Sequence, residues 1–193
     1  MDPVEGLGVV LSVAAVWLTT ARNPWCWPVG LASVIVYGWI FIGARLYSDA
    51  LLQGVYAVLE IYGWWQWRRL PQAEGQPAIR HARAIEWWAP LALSVVGALA
   101  LGAAMARYTD AALPWLDAAL TAASLVAQFW MARLIRANWL LWIAVDLVYV
   151  GVYWSRALPL TAALYAGFVL LAAVGWWRWA PPSPSPACGR GPG

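Results

Sequence analysis

Apolar residues in this chain come in long unbroken runs separated by short polar breaks, with no strand-like alternation. A helix needs about 20 such residues to cross the hydrocarbon core of a bilayer. Seven runs approach that length, at residues 4–20, 25–42, 50–67, 87–105, 114–131, 139–154 and 158–179. Each predicts a membrane-spanning helix. The longest polar connection, 68–86, holds Arg68, Arg69, Glu74, Arg80, His81 and Arg83. The Pro/Gly/Ser-rich tail after Ala180 is expected to be disordered. Asp2 and Glu5 stand where a cleaved signal would carry basic residues, so the first run is expected to be a retained span.

Composition agrees with the pattern. Of 193 residues, 63% are hydrophobic and only 11% charged, too little charge for the surface of a soluble domain. The 17 Trp residues cluster toward the ends of the apolar runs, where amphipathic rings anchor at the membrane interface. All 12 basic residues are Arg, and they are scattered, so the net charge of +3 makes no nucleic-acid footprint. Cys26 and Cys188 are far apart and His81 is the single histidine, which leaves no disulfide framework and no zinc site. No metal or cofactor is expected. An intramembrane enzyme would need a nucleophile with a base or metal ligands, and the spans offer no His and only Cys26, near a span end.

The arginines orient the chain. Seven spans put Arg45, Arg107 and Arg156 on one side, and Arg22, Arg68, Arg69, Arg80, Arg83, Arg133, Arg136, Arg178 and Arg190 on the other. The positive-inside rule assigns the second set to the cytoplasm. A multi-pass plasma-membrane protein with its N-terminus outside and its C-terminus in the cytoplasm is expected.

Two landmarks recur. Asn23-Pro-Trp-Cys-Trp27 opens the second span and Asn138-Trp-Leu-Leu-Trp142 opens the sixth. Further on, Gly63-Trp-Trp-Gln-Trp67 closes the third span and Gly175-Trp-Trp-Arg-Trp179 the seventh. On this pairing the second copy is three residues shorter between its landmarks, Leu31 matches Asp146, and Pro24 matches Trp139. The expected organisation is a three-helix repeat over 1–67, a cytoplasmic loop and linker helix over 68–105, a second three-helix repeat over 106–179, and the tail over 180–193. One linking helix makes the repeat parallel, as in transporters that hold substrate between their two halves. A substrate-capture subunit needing an energising partner is disfavoured, since two halves already supply alternating access.

Polar and aromatic residues form stripes inside three spans. At 100° per residue, Asn138, Trp139, Trp142, Asp146, Tyr149 and Tyr153 fall within roughly 100° of arc on the sixth. Gln53, Tyr56, Glu60, Trp64 and Trp67 fall within about 80° on the third, and Asp117, Thr121, Ser124 and Gln128 within about 60° on the fifth. Such faces avoid lipid and are expected to point inward. Asp146 and Glu60 carry the most information, because a carboxylate at the bilayer centre costs about 2.5–3.5 kcal/mol and usually marks a pathway or ligand site. A structural hydrogen bond to a Tyr or a neighbouring helix is the alternative for each. Asp117 sits at a helix start, where it caps the helix or complements its dipole. Trp139, Trp67 and Trp179 read as interfacial anchors, whereas Trp142, one turn deeper, reads as a ligand contact. An acidic, aromatic, amide-bearing pocket suits a flat cationic or neutral heterocycle with hydroxyls. It suits a phosphate poorly, because no span interior holds an Arg.

These residues carry a family resemblance. The run NPWCWPVGLASVIVYGWIFIGARLYSDALLQGVYAVLEIYGWWQW resembles the first half of the PnuC family of vitamin transporters. The pattern W-x-x-W-x-x-x-D-x-x-Y (Trp139, Trp142, Asp146, Tyr149), followed by LTAALY and GWWRW, resembles its second half. The resemblance implies an all-α fold of seven transmembrane helices in a 3+1+3 parallel repeat, like that of the SWEET sugar transporters. It implies facilitated diffusion of nicotinamide riboside, with a cytosolic kinase phosphorylating and so trapping the product. Similar members are assigned to thiamine or riboflavin; the fixed ring cation of nicotinamide riboside or thiamine suits the acidic pocket better than neutral riboflavin. The expected substrate-binding set is Asn138, Trp142, Asp146 and Tyr149 on the sixth span facing Gln53, Tyr56 and Glu60 on the third, with Gln128 on the fifth. The expected partners are the small-molecule vitamin and the lipid bilayer; a homo-oligomer is left open.

Overall fold

Among the described residues the apolar runs form seven helices: α1 (Pro3–Thr20), α2 (Cys26–Gly43), α3 (Tyr47–Arg69), α4 (Ala84–Tyr108), α5 (Pro114–Ala132), α6 (Asn138–Ser155) and α7 (Pro159–Arg178). The computed structural model describes residues 3–43, 45, 47–70, 72–73, 76–77, 79, 84–109 and 113–180. A two-residue antiparallel pair, β1 (Gln72–Ala73) and β2 (Gln76–Pro77), lies between α3 and α4. Arg80, His81, Arg83, Cys188 and the tail after Ala180 are outside the described residues.

Helices α1, α2, α4 and α7 are long and apolar enough to cross a membrane by length and composition alone. The other three fall short because they carry Glu60, Asp117, Gln128, Asn138 and Asp146. Those groups need an inward-facing side, and the packing provides it. Going round the bundle, α1 packs on α2, α2 on α3, α3 on α5, α5 on α6, α6 on α7, and α7 returns to α1. Six helices therefore close a ring. Helix α4 packs on α5 from outside that ring, so α5 is covered on two sides and buries ten of its residues. Asp117 lies in the first turn of α5, where its charge complements the dipole, but no side chain caps that helix.

Helix ends repeat with one fixed spacing. Arg22 (φ 53°) and Leu134 (φ 55°) end the turns after α1 and α5, and Arg45 (φ 59°) and Ala157 (φ 57°) those after α2 and α6. Each pair is 112 positions apart. The hydrogen bonds of these turns match at the same spacing: Asn23 N–H donates to Leu18 and Ile135 N–H to Trp130, Cys26 N–H to Asn23 and Asn138 N–H to Ile135. The pentapeptides starting at Gly63 and Gly175 share that 112-residue spacing. The Asn23 and Asn138 motifs do not, being three residues out of step. Structurally Trp27 corresponds to Trp139, Gly30 to Trp142 and Val34 to Asp146, which corrects the pairing of Trp27 with Trp142 and Leu31 with Asp146. No residues are lost between the landmarks of the two copies.

The tightest packing lies at one end of the ring, where α1, α3, α5 and α7 end and α2 and α6 begin. Trp27, Trp67, Trp139 and Trp179 are each at most 2% exposed there, together with Thr20, Leu134, Ile135 and Asn138. Ring centroids run 5.2 Å from Trp27 to Trp67, 6.0 Å from Trp67 to Trp179, and 5.3 Å from Trp179 to Trp139. The outer two contacts are edge-to-face, the favoured arrangement of aromatic quadrupoles. Trp67, Trp139 and Trp179 are thus not interfacial anchors. They are core. Trp17, Trp25, Trp39, Trp65, Trp87, Trp88, Trp115, Trp154 and Trp177 are exposed, and the exposed ones are those free for the interface role.

Candidate functional site

The ring encloses a cavity of about 330 Å³ above the tryptophan cluster. Its walls come from α1, α2, α3, α5, α6 and α7, with α4 contributing nothing. Of the expected binding residues, Gln53, Tyr56, Glu60, Gln128, Trp142 and Asp146 line it. Asn138 and Tyr149 stand outside the lining. Asn138 is fully buried at the start of α6, where its amide donates to the Ile135 carbonyl at 2.7 Å and secures the turn. Tyr149 stacks on Tyr153 and packs at a tilt on the cavity-lining Tyr165, with centroids 5.9 and 4.8 Å away.

Both mid-membrane carboxylates are buried, at 8% exposure for Glu60 and 6% for Asp146. Their surroundings differ. Glu60 Oε1 accepts a hydrogen bond from Gln128 Nε2 at 3.0 Å, so α3 and α5 are joined across a helix seam. Asp146 differs: among the described residues no side chain donates a hydrogen bond to its carboxylate. Among the described residues no Arg lines the cavity. The indole N–H groups of Trp27, Trp139 and Trp142, all in the wall, are buried without a hydrogen-bond partner.

Eight pairs of wall residues are related by the 112-residue spacing: Val16 with Gln128, Thr19 with Met131, Trp27 with Trp139, Gly30 with Trp142, Val34 with Asp146, Gln53 with Tyr165, Tyr56 with Phe168 and Glu60 with Ala172. The frame is symmetric and the chemistry is not. Wherever one copy supplies a carboxylate, the other supplies a small or aliphatic side chain. The pocket therefore offers charge at Glu60 and Asp146, amides at Gln53 and Gln128, and flat rings at Trp142, Tyr56, Tyr165 and Phe168. Sequence stripes missed Tyr165 and Phe168 because α7 reads as almost uniformly apolar, and missed Gly30 and Ser33 because small residues leave no pattern. For Tyr165, Phe168 and Gly30 the signal was the 112-residue correspondence with Gln53, Tyr56 and Trp142; Ser33 has none, since its counterpart is Val145.

At the tryptophan end, Trp67 Nε1 donates to the Met131 carbonyl at 3.3 Å and Trp179 Nε1 to the Thr19 carbonyl at 3.2 Å. Arginines ring this end. The Arg136 guanidinium lies 3.7 Å over Trp176 and donates to its carbonyl, and Arg178 lies 4.8 Å over Trp17. Arg133 pairs with Glu86 of α4 and donates to the Tyr62 hydroxyl at 3.2 Å, tying the outside helix to α3 and α5.

A ring of membrane helices around a polar, aromatic cavity, closed at one end, is a form that a multi-pass membrane transporter takes. The chain belongs to the family described as nicotinamide mononucleotide transporter, whose family model matches residues 2–181. It is 30% identical over 177 residues to the riboflavin/roseoflavin transporter RibM of Streptomyces davaonensis, covering 89% of this chain and 83% of that one. It is 25% identical over 201 residues to the nicotinamide riboside transporter PnuC of Escherichia coli, covering 91% and 84%. The crystal structure of the vitamin B3 transporter PnuC shares the fold, with a TM-score of 0.72 at 23% identity over 91% of this chain and 80% of that one. This protein is a vitamin transporter of that family.

Proposed function

We propose that the protein mediates facilitated diffusion of nicotinamide riboside into the cytoplasm. The carrying observation is the pair of buried carboxylates, Glu60 and Asp146, in one cavity with aromatic walls and, among the described residues, no arginine. A pyridinium ring bears a fixed positive charge and a flat face. It gains from the carboxylates and from aromatic stacking, where a desolvated cation–π contact is worth up to about 2 kcal/mol. Trp142, with its N–H free, and Tyr56 stack on the base; Gln53 and Gln128 hold ribose hydroxyls or the carboxamide. Asn138 and Tyr149 act from behind the wall, one fixing the start of α6 and the other backing Tyr165.

The architecture is a 3+1+3 parallel repeat, with α1–α3 and α5–α7 as the two units and α4 as the linker. The arginine-rich tryptophan end faces the cytoplasm, and the N-terminus is outside. Alternating access works at the two inter-unit seams, α1 against α7 and α3 against α5. A cytosolic kinase acting on the substrate would hold the gradient inward, and the units assemble further only if a homo-oligomer forms.

Riboflavin is the second reading, favoured by the 30% identity to RibM. Uptake of labelled nicotinamide riboside, riboflavin and thiamine into liposomes holding only this protein, without an ion gradient, tests all three. Saturable equilibration of nicotinamide riboside supports the first reading. Riboflavin or thiamine moving in its place changes the substrate and keeps the mechanism. Transport that needs a gradient overturns passive diffusion and turns the carboxylates into coupling candidates.

A further inference from the structure

The two copies of the repeat exchange large and small side chains at one level of the cavity. In the second unit α6 carries Trp142 and α7 the small Ala172; in the first unit α2 carries Gly30 and α3 the longer Glu60. The exchange has a steric basis. A Cβ built on Gly30 would lie 2.7 Å from Glu60 Oε2 and 2.8 Å from both Cδ and Oε1. Ordinary carbon–oxygen contacts are about 3.3–3.6 Å, so even one methyl group displaces the carboxylate by on the order of half an ångström. Nothing else is among the three nearest atoms. The absent side chain at Gly30 is what lets Glu60 lie against α2, within 3.0 Å of Gln128.

We propose that Gly30 is a specificity-determining position: by withholding a Cβ it positions the Glu60 carboxylate in the cavity wall, and so selects a cationic ring over a neutral one. Gly30 is a positioning residue that acts through Glu60 and need not touch substrate. The Glu60 carboxyl is the far end of a flexible side chain, so a methyl at position 30 moves the charge without breaking the fold. The displacement starts from a 3.0 Å hydrogen bond, and half an ångström brings that bond to the limit of useful geometry. In the second unit the same level is filled by an indole, which supplies the facing ring. The pocket is thereby lopsided, with a charged wall on α3 and a stacking wall on α6.

The inference rests on the reading of the site as one that selects a cationic heterocycle, and the test separates the two. Dissociation constants for nicotinamide riboside and for riboflavin are measured on purified wild type, Glu60→Gln, Gly30→Ala, and Gly30→Ala combined with Glu60→Asp. Wild type is expected to favour the cationic ring, and Glu60→Gln to lower that preference about tenfold. Gly30→Ala is expected to do the same while leaving riboflavin affinity within about threefold. Shortening the acid by one methylene makes room for the added methyl, so the double variant regains much of the preference that Gly30→Ala loses. If wild type and Glu60→Gln bind both rings alike, charge selection by this site falls and the role of Gly30 falls with it. If Glu60→Gln loses the preference and Gly30→Ala keeps it, Gly30 is spacing between helices only, and the substrate reading stands. Should Gly30→Ala fail to fold, the double variant decides: a preference no better than that of Glu60→Gln overturns the positioning role.

Discussion

The indole N–H of Trp179 donates to the backbone carbonyl of Thr19, 3.2 Å away and 160 residues earlier in the chain. Its counterpart across the repeat, Trp67, donates to Met131 at 3.3 Å. Each bond adds a second donor to a carbonyl in the last turn of a helix, beside the turn N–H of Arg22 or Leu134, and the two join α7 to α1 and α3 to α5. Together they latch both seams at the closed end of the cavity. Replacing Trp179 by Phe keeps an aromatic ring and removes the donor, at a cost of about 1 kcal/mol, while the Arg22 N–H still serves the Thr19 carbonyl.

Cys26 reports on that latch. It is buried beside Trp27 in the same cluster, and a Cys188→Ser background leaves it as the single thiol. A membrane-permeant maleimide is expected to leave wild-type Cys26 unlabelled and to label it severalfold faster in Trp179→Phe or Trp67→Phe. Equal protection in all three proteins would show that the tryptophans pack the end without latching it.

Gly63 and Gly175 test the packing beneath the latch. A Cβ on Gly63 would lie 2.3 Å from Trp27 ring carbons, and one on Gly175 would lie 2.4 Å from Trp139. Both indoles are rigid and enclosed, so neither can move aside cheaply. Alanine at either position is expected to destabilise by about 1–3 kcal/mol, the usual cost of overpacking. Gly54, Gly151 and Gly167 meet nothing within 4 Å, and alanine there should be neutral or stabilising by up to about 1 kcal/mol through helix propensity. Thermal unfolding in detergent of the five variants separates the two groups; overlapping values would contradict the close glycine–indole packing.

The same tryptophans show where sequence reasoning was sufficient and where it was not. Seven helices were legible because a bilayer demands long apolar runs, and the carboxylates were legible because membrane interiors penalise them. A Trp near a helix end, however, looks the same whether it meets headgroups or the facing unit. The burial of Trp67, Trp139 and Trp179 depends on which helices become neighbours, which no local pattern states. The repeat was legible in the pentapeptides at Gly63 and Gly175 but was put out of step by Asn23 and Asn138. The turns that would have fixed the spacing use Arg22, Leu134, Arg45 and Ala157 at positive φ, so no glycine marks them. Gln53, Tyr56, Glu60 and Asp146 reach the cavity as their stripes implied. Tyr149 shares the stripe but sits two turns from Trp142, and its ring packs on Tyr153 and Tyr165 instead.

Those left-handed residues make a stability prediction. An L-residue in this region costs roughly 1–2 kcal/mol, which glycine avoids. Ala157 is exposed and has little packing to lose, so Ala157→Gly is expected to stabilise by about 1 kcal/mol. Leu134 has the same backbone but is fully buried in the tryptophan cluster. Removing its side chain forfeits about 2–5 kcal/mol of burial and cavity energy, so Leu134→Gly should destabilise. Opposite signs in thermal unfolding are the expected result. The same sign for both would contradict either the left-handed turn at Ala157 or the burial of Leu134.

Asp146 is the carboxylate that no side chain among the described residues engages, and its neighbour one turn back, Trp142, holds an unpartnered indole N–H in the same wall. Glu60 already serves Gln128, so Asp146 is the freer of the two to balance a ligand's charge. Asp146→Asn keeps size and hydrogen-bonding capacity and removes the charge alone. A cationic ring then loses a Coulombic partner inside the membrane while a neutral ring loses almost nothing. Affinity for nicotinamide riboside is expected to fall about tenfold, equivalent to 1.4 kcal/mol, with riboflavin within about threefold of wild type. Titration calorimetry on the folded variant gives both numbers. A uniform loss for both ligands would make Asp146 a structural group, and no loss for either would leave Glu60 to carry the charge balance alone.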